Sequence, residues 1–144
     1  MPITQAEFDY LIKLEKRFET SHELVLGPAP LSWERNINAI KTKDTFIFDF
    51  YRGSFELSKY TYNKRYRQTI ILLRYDANGR HTNPDGATFD GPHVHIYKEG
   101  FDDKFAYPVT DIGIDETDGM KAVLEKFLIY RNVKSIPSIQ TTMF

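Results

Sequence analysis

The chain has 144 residues, of which 41% are hydrophobic and 27% charged, and this predicts a single domain spanning residues 1–144. Lys and Arg number 19 and Asp and Glu number 20, so the net charge of -1 excludes the strong overall field of a general nucleic-acid or membrane binder. The absence of Cys excludes disulfides, thiol nucleophiles and Cys-ligated metal sites.

Two features bear on where the protein is located. The first residues, MPITQAEF, lack the basic and apolar regions of a signal peptide. No apolar run approaches the roughly 20 residues that a membrane-spanning helix requires. We therefore expect a soluble, cytoplasmic protein without a membrane partner.

The N-terminal segment has a helical pattern. Thr4 and Glu7 have the spacing of a capping box, and apolar residues then recur at helical intervals, which predicts a helix from about residue 4 to 21. A Gly/Pro-rich break follows at residues 27–30. Residues 33–40 are then predicted to form a short helix or a turn.

The middle of the chain has the pattern of an antiparallel meander. Residues 45–51 alternate, with three Phe residues on one side, and residues 55–62 are rich in β-formers and are predicted to pair with them. Residues 66–75 are predicted to follow as a third strand. Its centre, TIILL, is apolar on both faces, which is typical of a central strand.

A Gly/Asn/Asp/Pro-rich stretch, residues 76–92, is called the long loop below; loops of this length in a compact domain are usually functional or disordered. Residues 93–98 are predicted to form the next strand, and residues 105–110 are a candidate fifth. Residues 115–131 have the pattern of a helix. The predicted fold class is α+β: an N-terminal helix, an antiparallel sheet of four to five strands with a long functional loop, and a C-terminal helix packed on one sheet face.

Three of the four histidines lie in the segment RHTNPDGATFDGPHVHIYKEG, residues 80–100, which covers most of the long loop and the strand after it. On a strand, His93, His95 and Tyr97 would point to one side, while Val94 and Ile96 would point into the core. The two imidazoles would then lie about 7 Å apart and act on one small target.

The first functional hypothesis is a small, metal-independent endoribonuclease of the toxin type, which requires no cofactor. His93 and His95 would be general acid and base, with His81 assisting. The candidate substrate-binding residues are Arg74, Arg80 and Lys98 for phosphate, Tyr97 for stacking, and Asn83 and Asp85 in the loop. Basic and aromatic residues interleave nearby, as in proteins that grip single-stranded RNA: Lys59, Tyr60, Tyr62, Lys64, Arg65, Tyr66, Arg67 and Arg74.

Other interpretations of the same residues stay open. The basic and aromatic stripe is also typical of a solvated sheet edge that resists edge pairing. His-x-His on a strand can hold a metal ion, with His81, Asp85 or Asp90 completing the shell. Alternatively, the two histidines would hydrogen-bond to loop carbonyls and to Asp85 or Asp90, and so hold the long loop against the sheet. Glu56 and Asp49 are candidate bases only if they share the histidine face, which strand alternation does not decide.

Part of the chain has a recognisable pattern. A strand ends in Arg and Asp, HTNPDG follows at residues 81–86, and then come Gly91, His93, HIY at 95–97, EG at 99–100 and FAY at 105–107. Over residues 72–109 this resembles an uncharacterised family of small proteins from Gram-positive bacteria and their phages.

The resemblance implies a bacterial or phage-borne accessory protein and no specific activity. Toxins of toxin–antitoxin pairs are similar in outline, and this fold-level analogy favours RNA as substrate and an antitoxin as partner. The second hypothesis is a non-catalytic interaction module of a phage or mobile element, binding a host protein or nucleic acid in a defence or anti-defence role.

Overall fold

The computed structural model describes residues 3–28, 30–51, 53–63 and 66–142, without the side chains of residues 62, 63, 66 and 67. Within these ranges the chain forms two α-helices, one 3-10 helix and twelve strands. In chain order they are α1 Gln5–Lys13, β1 Lys16–Phe18, β2 Leu24–Leu26, β3 Ser32–Ala39, β4 Thr45–Tyr51, β5 Ser54–Asn63, β6 Tyr66–Asp76, β7 Arg80–Thr82, β8 Thr88–Asp90, β9 His93–Ile96, β10 Ala106–Tyr107, the 3-10 helix Val109–Ile112, α2 Met120–Tyr130, β11 Val133–Lys134 and β12 Ile139–Thr141.

Eight strands form one mixed sheet in the order β10-β9-β6-β5-β4-β3-β1-β11. β1 and β11 pair in parallel, and the other neighbours pair antiparallel. The predicted antiparallel sheet of four to five strands between two helices is therefore wrong. The chain is mostly strand, because segments predicted as helix or turn form β1 and β3 on one side of the meander, and β11 adds a further strand beyond them.

The first helix is shorter than predicted. The capping box is present, since the Thr4 hydroxyl accepts from the Glu7 amide at 3.1 Å and the Glu7 carboxylate accepts from the Thr4 amide at 3.3 Å. The helix nevertheless ends at Lys13, and Leu14 has extended ψ. The next residues pair with both β3 and β11, and the ring of Phe18 contacts that of Phe48. Sheet pairing thus overrides the helical spacing of the apolar residues.

Residues 33–40, predicted as a short helix or turn, lie mostly in β3 between β1 and β4. Trp33 at the start of this strand packs against Phe48 and Phe50 of β4, with ring centroids 5.7 and 5.6 Å apart. On the face of β3 away from the core the residues are mainly polar. The sequence of this segment by itself is therefore only weakly indicative of a strand. The neighbouring strand and the aromatic contacts determine its structure.

The meander β4–β5–β6 and its pairing are confirmed. β6 lies inside the sheet between β5 and β9, as predicted for a central strand. The register shifts between Leu57 and Ser58 of β5, where Leu72 of β6 is left unpaired. The sequence also predicts turns at residues 52–54 and 63–64, of which Arg52 and Lys64 lie outside the described part of the chain.

One face of the sheet forms the core with both helices. Phe48 and Phe55 of the sheet contact Phe127 of α2 at ring-centroid distances of 5.7 and 6.2 Å. Phe8 of α1 belongs to the same cluster. The C-terminal helix is thus confirmed, although it begins at Met120 rather than at residue 115. Neither helix in the described chain is long and apolar enough to cross a membrane.

Lys16 joins the ends of the two helices. Its buried ammonium donates to the carbonyls of Ile12, Leu14 and Arg131 at 3.0, 2.9 and 2.9 Å. A cation at helix C-termini is stabilised by the helix dipole and the free carbonyls. Burial, and to a lesser degree the charge of Arg131, lowers the pKa of Lys16 to about 7.

Candidate metal centre

The register of β5, β6 and β9 brings polar side chains together on the sheet face opposite the aromatic core. Residues that pair directly across strands, and residues two apart on one strand, share a face. Two neighbouring rows result: Ser54, Asp76 and His93 in one, and Glu56, Arg74 and His95 in the other. Glu56 therefore lies on the same face as the histidines. The alternation of residues within one strand could not decide this, because it does not give the register between strands.

The two β9 histidines are held by backbone carbonyls. His93 Nδ1 lies 2.8 Å from the carbonyl oxygen of Gly91, and His95 Nδ1 lies 2.9 Å from that of Asp103. A carbonyl only accepts, so each Nδ1 carries the proton and donates it. In the neutral imidazole, each Nε2 is then left with a free lone pair. The side chains are 3% and 1% exposed, so water is largely kept from them.

Both Nε2 atoms point at the same oxygen. Oδ2 of Asp76 lies 3.5 Å from Nε2 of His93 and 3.3 Å from Nε2 of His95. Among the described residues, Asp76, His93 and His95 form a group whose ligand atoms all lie within 4.8 Å of one another. Two imidazole nitrogens and a carboxylate oxygen converging in this way are a typical donor set for a transition-metal ion.

Asp76 is held as a carboxylate by its surroundings. Burial alone would raise its pKa, but His95 in its protonated form, through a hydrogen bond and its charge, the hydrogen bond from Ser54 and the charge of Arg74 lower the pKa well below its usual range. Ser54 Oγ donates to Oδ1 at 2.6 Å, and Arg74 Nε donates to Oδ2 at 3.1 Å. Such hydrogen bonds orient a ligating carboxylate, as is common around metal sites.

Arg74 connects the cluster to a second carboxylate. Its Nη1 lies 3.0 Å from Oδ2 of Asp103, whose backbone carbonyl accepts from His95. Glu56 lies beside Arg74, and burial raises its pKa, although the charge of Arg74 acts in the opposite direction. The predicted phosphate-binding residue Arg74 is thus at the site, where it donates to the carboxylates of Asp76 and Asp103.

The long loop folds back over this face as a short hairpin of β7 and β8. His81 on β7 lies against the cluster, with its ring centroid 4.6 Å from that of His95 and 6.0 Å from that of His93. Its Nε2 lies 2.8 Å from the carbonyl oxygen of Lys104. The structure therefore brings together the three histidines predicted to share a site.

Residues 3–133 match a protein-family model that covers most of the chain. The chain belongs to this family, the family of unknown function DUF6978. The match extends well beyond residues 72–109, where a resemblance was recognised. No curated protein and no solved structure matches the chain.

In this DUF6978 chain, two of the predicted substrate-binding residues form hydrogen bonds that stabilise the long loop. Asn83 is buried and exchanges hydrogen bonds with the backbone of Ala106. Asp85 is exposed, and its Oδ1 accepts from the Ala87 amide at 3.0 Å within a tight turn. Neither Asp85 nor Asp90 belongs to the convergent donor group, although both were predicted as completing ligands.

Tyr97 does not share a face with the histidines, and this prediction is wrong. β9 ends at Ile96, and beyond it Tyr97 turns into the core, where its ring stacks on Phe8 at 5.7 Å. Its hydroxyl donates to the carbonyl of Ile3 at 2.6 Å. Val94 is buried and Ile96 packs against the core, as predicted.

The remaining predicted phosphate-binding residues lie at the surface. Arg80 is exposed at the start of β7. Lys98 is exposed, with Nζ 4.4 Å above the ring of Phe105. Within the basic and aromatic stripe, Lys59 Nζ lies 3.6 Å from Oδ1 of Asp44. The side chains of residues 62–67 lie outside the part of the chain that the structure describes.

Asp76 is the site residue that sequence reasoning missed. The alternation of residues along β6 could have indicated Asp76. Leu73 and Tyr75 face the core, so Arg74 and Asp76 lie on the opposite face of the strand. Asp76 lies at the start of the long loop, and the sequence predicts the carboxylates inside the loop, Asp85 and Asp90, as ligands.

Proposed function

We propose that this protein binds one divalent transition-metal ion through the Asp76 carboxylate and the Nε2 atoms of His93 and His95. The observation that carries the proposal is the pair of distances from Asp76 Oδ2 to the two Nε2 atoms, 3.5 and 3.3 Å. A tetrahedral ion with bonds of about 2.0–2.1 Å separates its ligand atoms by roughly 3.3–3.4 Å. Both carboxylate-to-imidazole separations therefore match those of a tetrahedral coordination shell, and all three donor atoms lie within 4.8 Å of one another.

Direct hydrogen bonding accounts less well for these distances. An imidazolium paired with a carboxylate normally has an N–O distance of about 2.7–2.9 Å, shorter than either separation. Neutral imidazoles would direct both Nε2 lone pairs at an anion, because their protons are donated to the carbonyls of Gly91 and Asp103. A cation between the three groups resolves this repulsion. Nδ1–H bonds to carbonyls are also the usual outer contacts of metal-ligating histidines.

The donor set indicates which ions to expect. Two imidazoles and one carboxylate suit zinc, nickel and iron(II), whereas magnesium and calcium favour shells of oxygen alone. Zinc is the first ion to test, because tetrahedral geometry matches the separations and leaves one further coordination position.

The endoribonuclease hypothesis stays a prediction. The cluster of three histidines beside Arg74 favours it, since these groups are sufficient for acid–base work on a phosphodiester. Against it, the two β9 imidazoles are buried and directed at one oxygen, rather than at opposite sides of a substrate. The metal proposal is compatible with the alternative of an interaction module, because a metal ion can organise a binding surface.

The test is elemental analysis of untagged protein purified without chelator, followed by zinc titration of the chelator-treated protein. We expect about one metal ion per chain for the wild type. His93→Ala, His95→Ala and Asp76→Asn should each lose stoichiometric metal. His22→Ala is the matched control, because His22 is exposed and outside the cluster. Circular dichroism establishes that each variant is folded.

Wild-type protein that contains no metal and takes up no zinc, nickel or iron(II) at micromolar concentration contradicts the proposal. The same variants test the ribonuclease hypothesis. RNA cleavage that persists in EDTA and disappears in His93→Ala would support metal-independent catalysis instead of a metal centre. RNA left intact by the wild type would count against the ribonuclease.

A further inference from the structure

We infer that His81 supplies the fourth ligand through Nδ1, so that the metal ion fastens the β7–β8 hairpin of the long loop to the sheet. This inference rests on the proposed metal site and goes beyond it. The three ligands of that site come from the adjacent strands β6 and β9 alone. A ligand from the hairpin would make the conformation of the loop depend on metal.

The positions of the three rings support this assignment. Imidazoles bound to one tetrahedral ion have ring centroids roughly 5 Å apart. His93 and His95 are at 4.9 Å, His81 and His95 at 4.6 Å, and His81 and His93 at 6.0 Å. His81 thus has the right distance from one ligand ring and is about 1 Å too far from the other.

The tautomer of His81 also favours Nδ1 as the ligand atom. The carbonyl of Lys104 lies 2.8 Å from Nε2 and accepts its hydrogen, which leaves the lone pair on Nδ1. His81 therefore has the same kind of backbone anchor as the two β9 histidines, with the roles of the two nitrogens exchanged. Its side chain is half-buried, so it lies at the boundary between the cluster and solvent.

The hairpin has two glycines at its base that permit a small movement. Gly79 and Gly91 have φ of 103° and 88°, a region that favours glycine, and the Gly91 amide donates to the Gly79 carbonyl at 3.0 Å. His81 lies two residues beyond Gly79. Its nitrogens are outside the group of donor atoms within 4.8 Å, and metal binding would close that gap.

The experiment compares zinc affinity and hydrogen exchange in wild-type protein, His81→Ala and the exposed neighbour variant Thr82→Ala. We expect His81→Ala to retain one zinc ion per chain with affinity about 10- to 100-fold weaker, while Thr82→Ala matches the wild type. Zinc should slow amide exchange in residues 81–90 at least about tenfold in the wild type and Thr82→Ala, but not in His81→Ala. Cobalt(II) absorption should be intense and tetrahedral in the wild type and weaker in the variant.

Three other outcomes would overturn the inference. Zinc binding by the wild type, together with unchanged affinity and unchanged hairpin protection in His81→Ala, overturns the inference and leaves the proposed metal site standing. Faster hairpin exchange in His81→Ala to the same extent with and without zinc also overturns it, because the role of His81 is then structural. Absence of zinc binding in the wild type overturns both.

Discussion

The side chain of Asn83 and the backbone of Ala106 form a reciprocal pair of hydrogen bonds. Asn83 Nδ2 donates to the Ala106 carbonyl at 3.0 Å, and the Ala106 amide donates to Asn83 Oδ1 at 2.7 Å. The pair is buried, and it joins the long loop to β10 at the edge of the main sheet. These two hydrogen bonds therefore attach the long loop to the sheet edge beside the histidine face.

Asn83→Ala should destabilise the protein by about 1–3 kcal/mol, because it leaves the buried amide and carbonyl of Ala106 without partners. Urea unfolding followed by circular dichroism measures the change, and limited proteolysis should cut the long loop faster. Asn78→Ala, an exposed residue of the same loop, is the control and should change stability by less than about 0.5 kcal/mol. Equal stability of the two variants would contradict this role of Asn83.

Lys16→Met should remove a pH dependence of stability. Burial and Arg131 lower the folded-state pKa of Lys16 to about 7 from an ordinary 10.5, so unfolding takes up a proton between these pH values. This group therefore makes the free energy of unfolding rise with pH across that window, by at most about 1.4 kcal/mol per unit, and adds no slope below it. Urea unfolding of the two proteins at pH 7.5 and 9.5 measures the difference.

The control for this slope is Lys13→Met, which changes an exposed lysine in the last turn of α1. It should keep the wild-type pH dependence. A Lys16→Met variant with the same slope as the wild type would show that the ammonium stays protonated in the folded protein throughout this range.

Phe48→Ala should cost about 3–5 kcal/mol, the usual range for removing a buried Phe side chain. Phe48 is fully buried, and among the described residues its ring contacts those of Phe18, Trp33, Phe55 and Phe127. Thermal and urea unfolding measure the loss. Ile129→Ala is the control, because Ile129 is 65% exposed and its removal should change stability little. A cost below about 1 kcal/mol for Phe48→Ala would contradict its central position in the core.

Zinc should stabilise the folded protein if it binds the candidate centre. At a free concentration 100 times the dissociation constant, the expected gain is about 2.7 kcal/mol, because the unfolded chain does not hold the three ligands together. EDTA should reverse the gain, and Asp76→Asn should show none. Calcium is the ion control, since it favours oxygen ligands. Thermal unfolding measures all four conditions, and equal stabilisation of Asp76→Asn would contradict binding at Asp76.

Local patterns sufficed for several elements and for part of the site. The capping box of Thr4 and Glu7, the Phe alternation of β4 and the helical spacing in α2 each lie within a short segment. The same holds for His93 and His95, which alternation placed together on one face. These features follow from the periods of helix and strand, which side chains a few residues apart are enough to reveal.

Tertiary structure decided the remainder. β1 and β3 exist because other segments pair with them, and their own residues do not encode those partners. The site depends on register, which places Asp76 opposite His93 and Arg74 opposite His95, although about 20 residues separate these pairs in the chain. Sequence alone thus determined which residues carry chemistry and which strand face the β9 histidines occupy. The fold decided which carboxylate meets them, because register and bulges are set by pairing across the whole sheet.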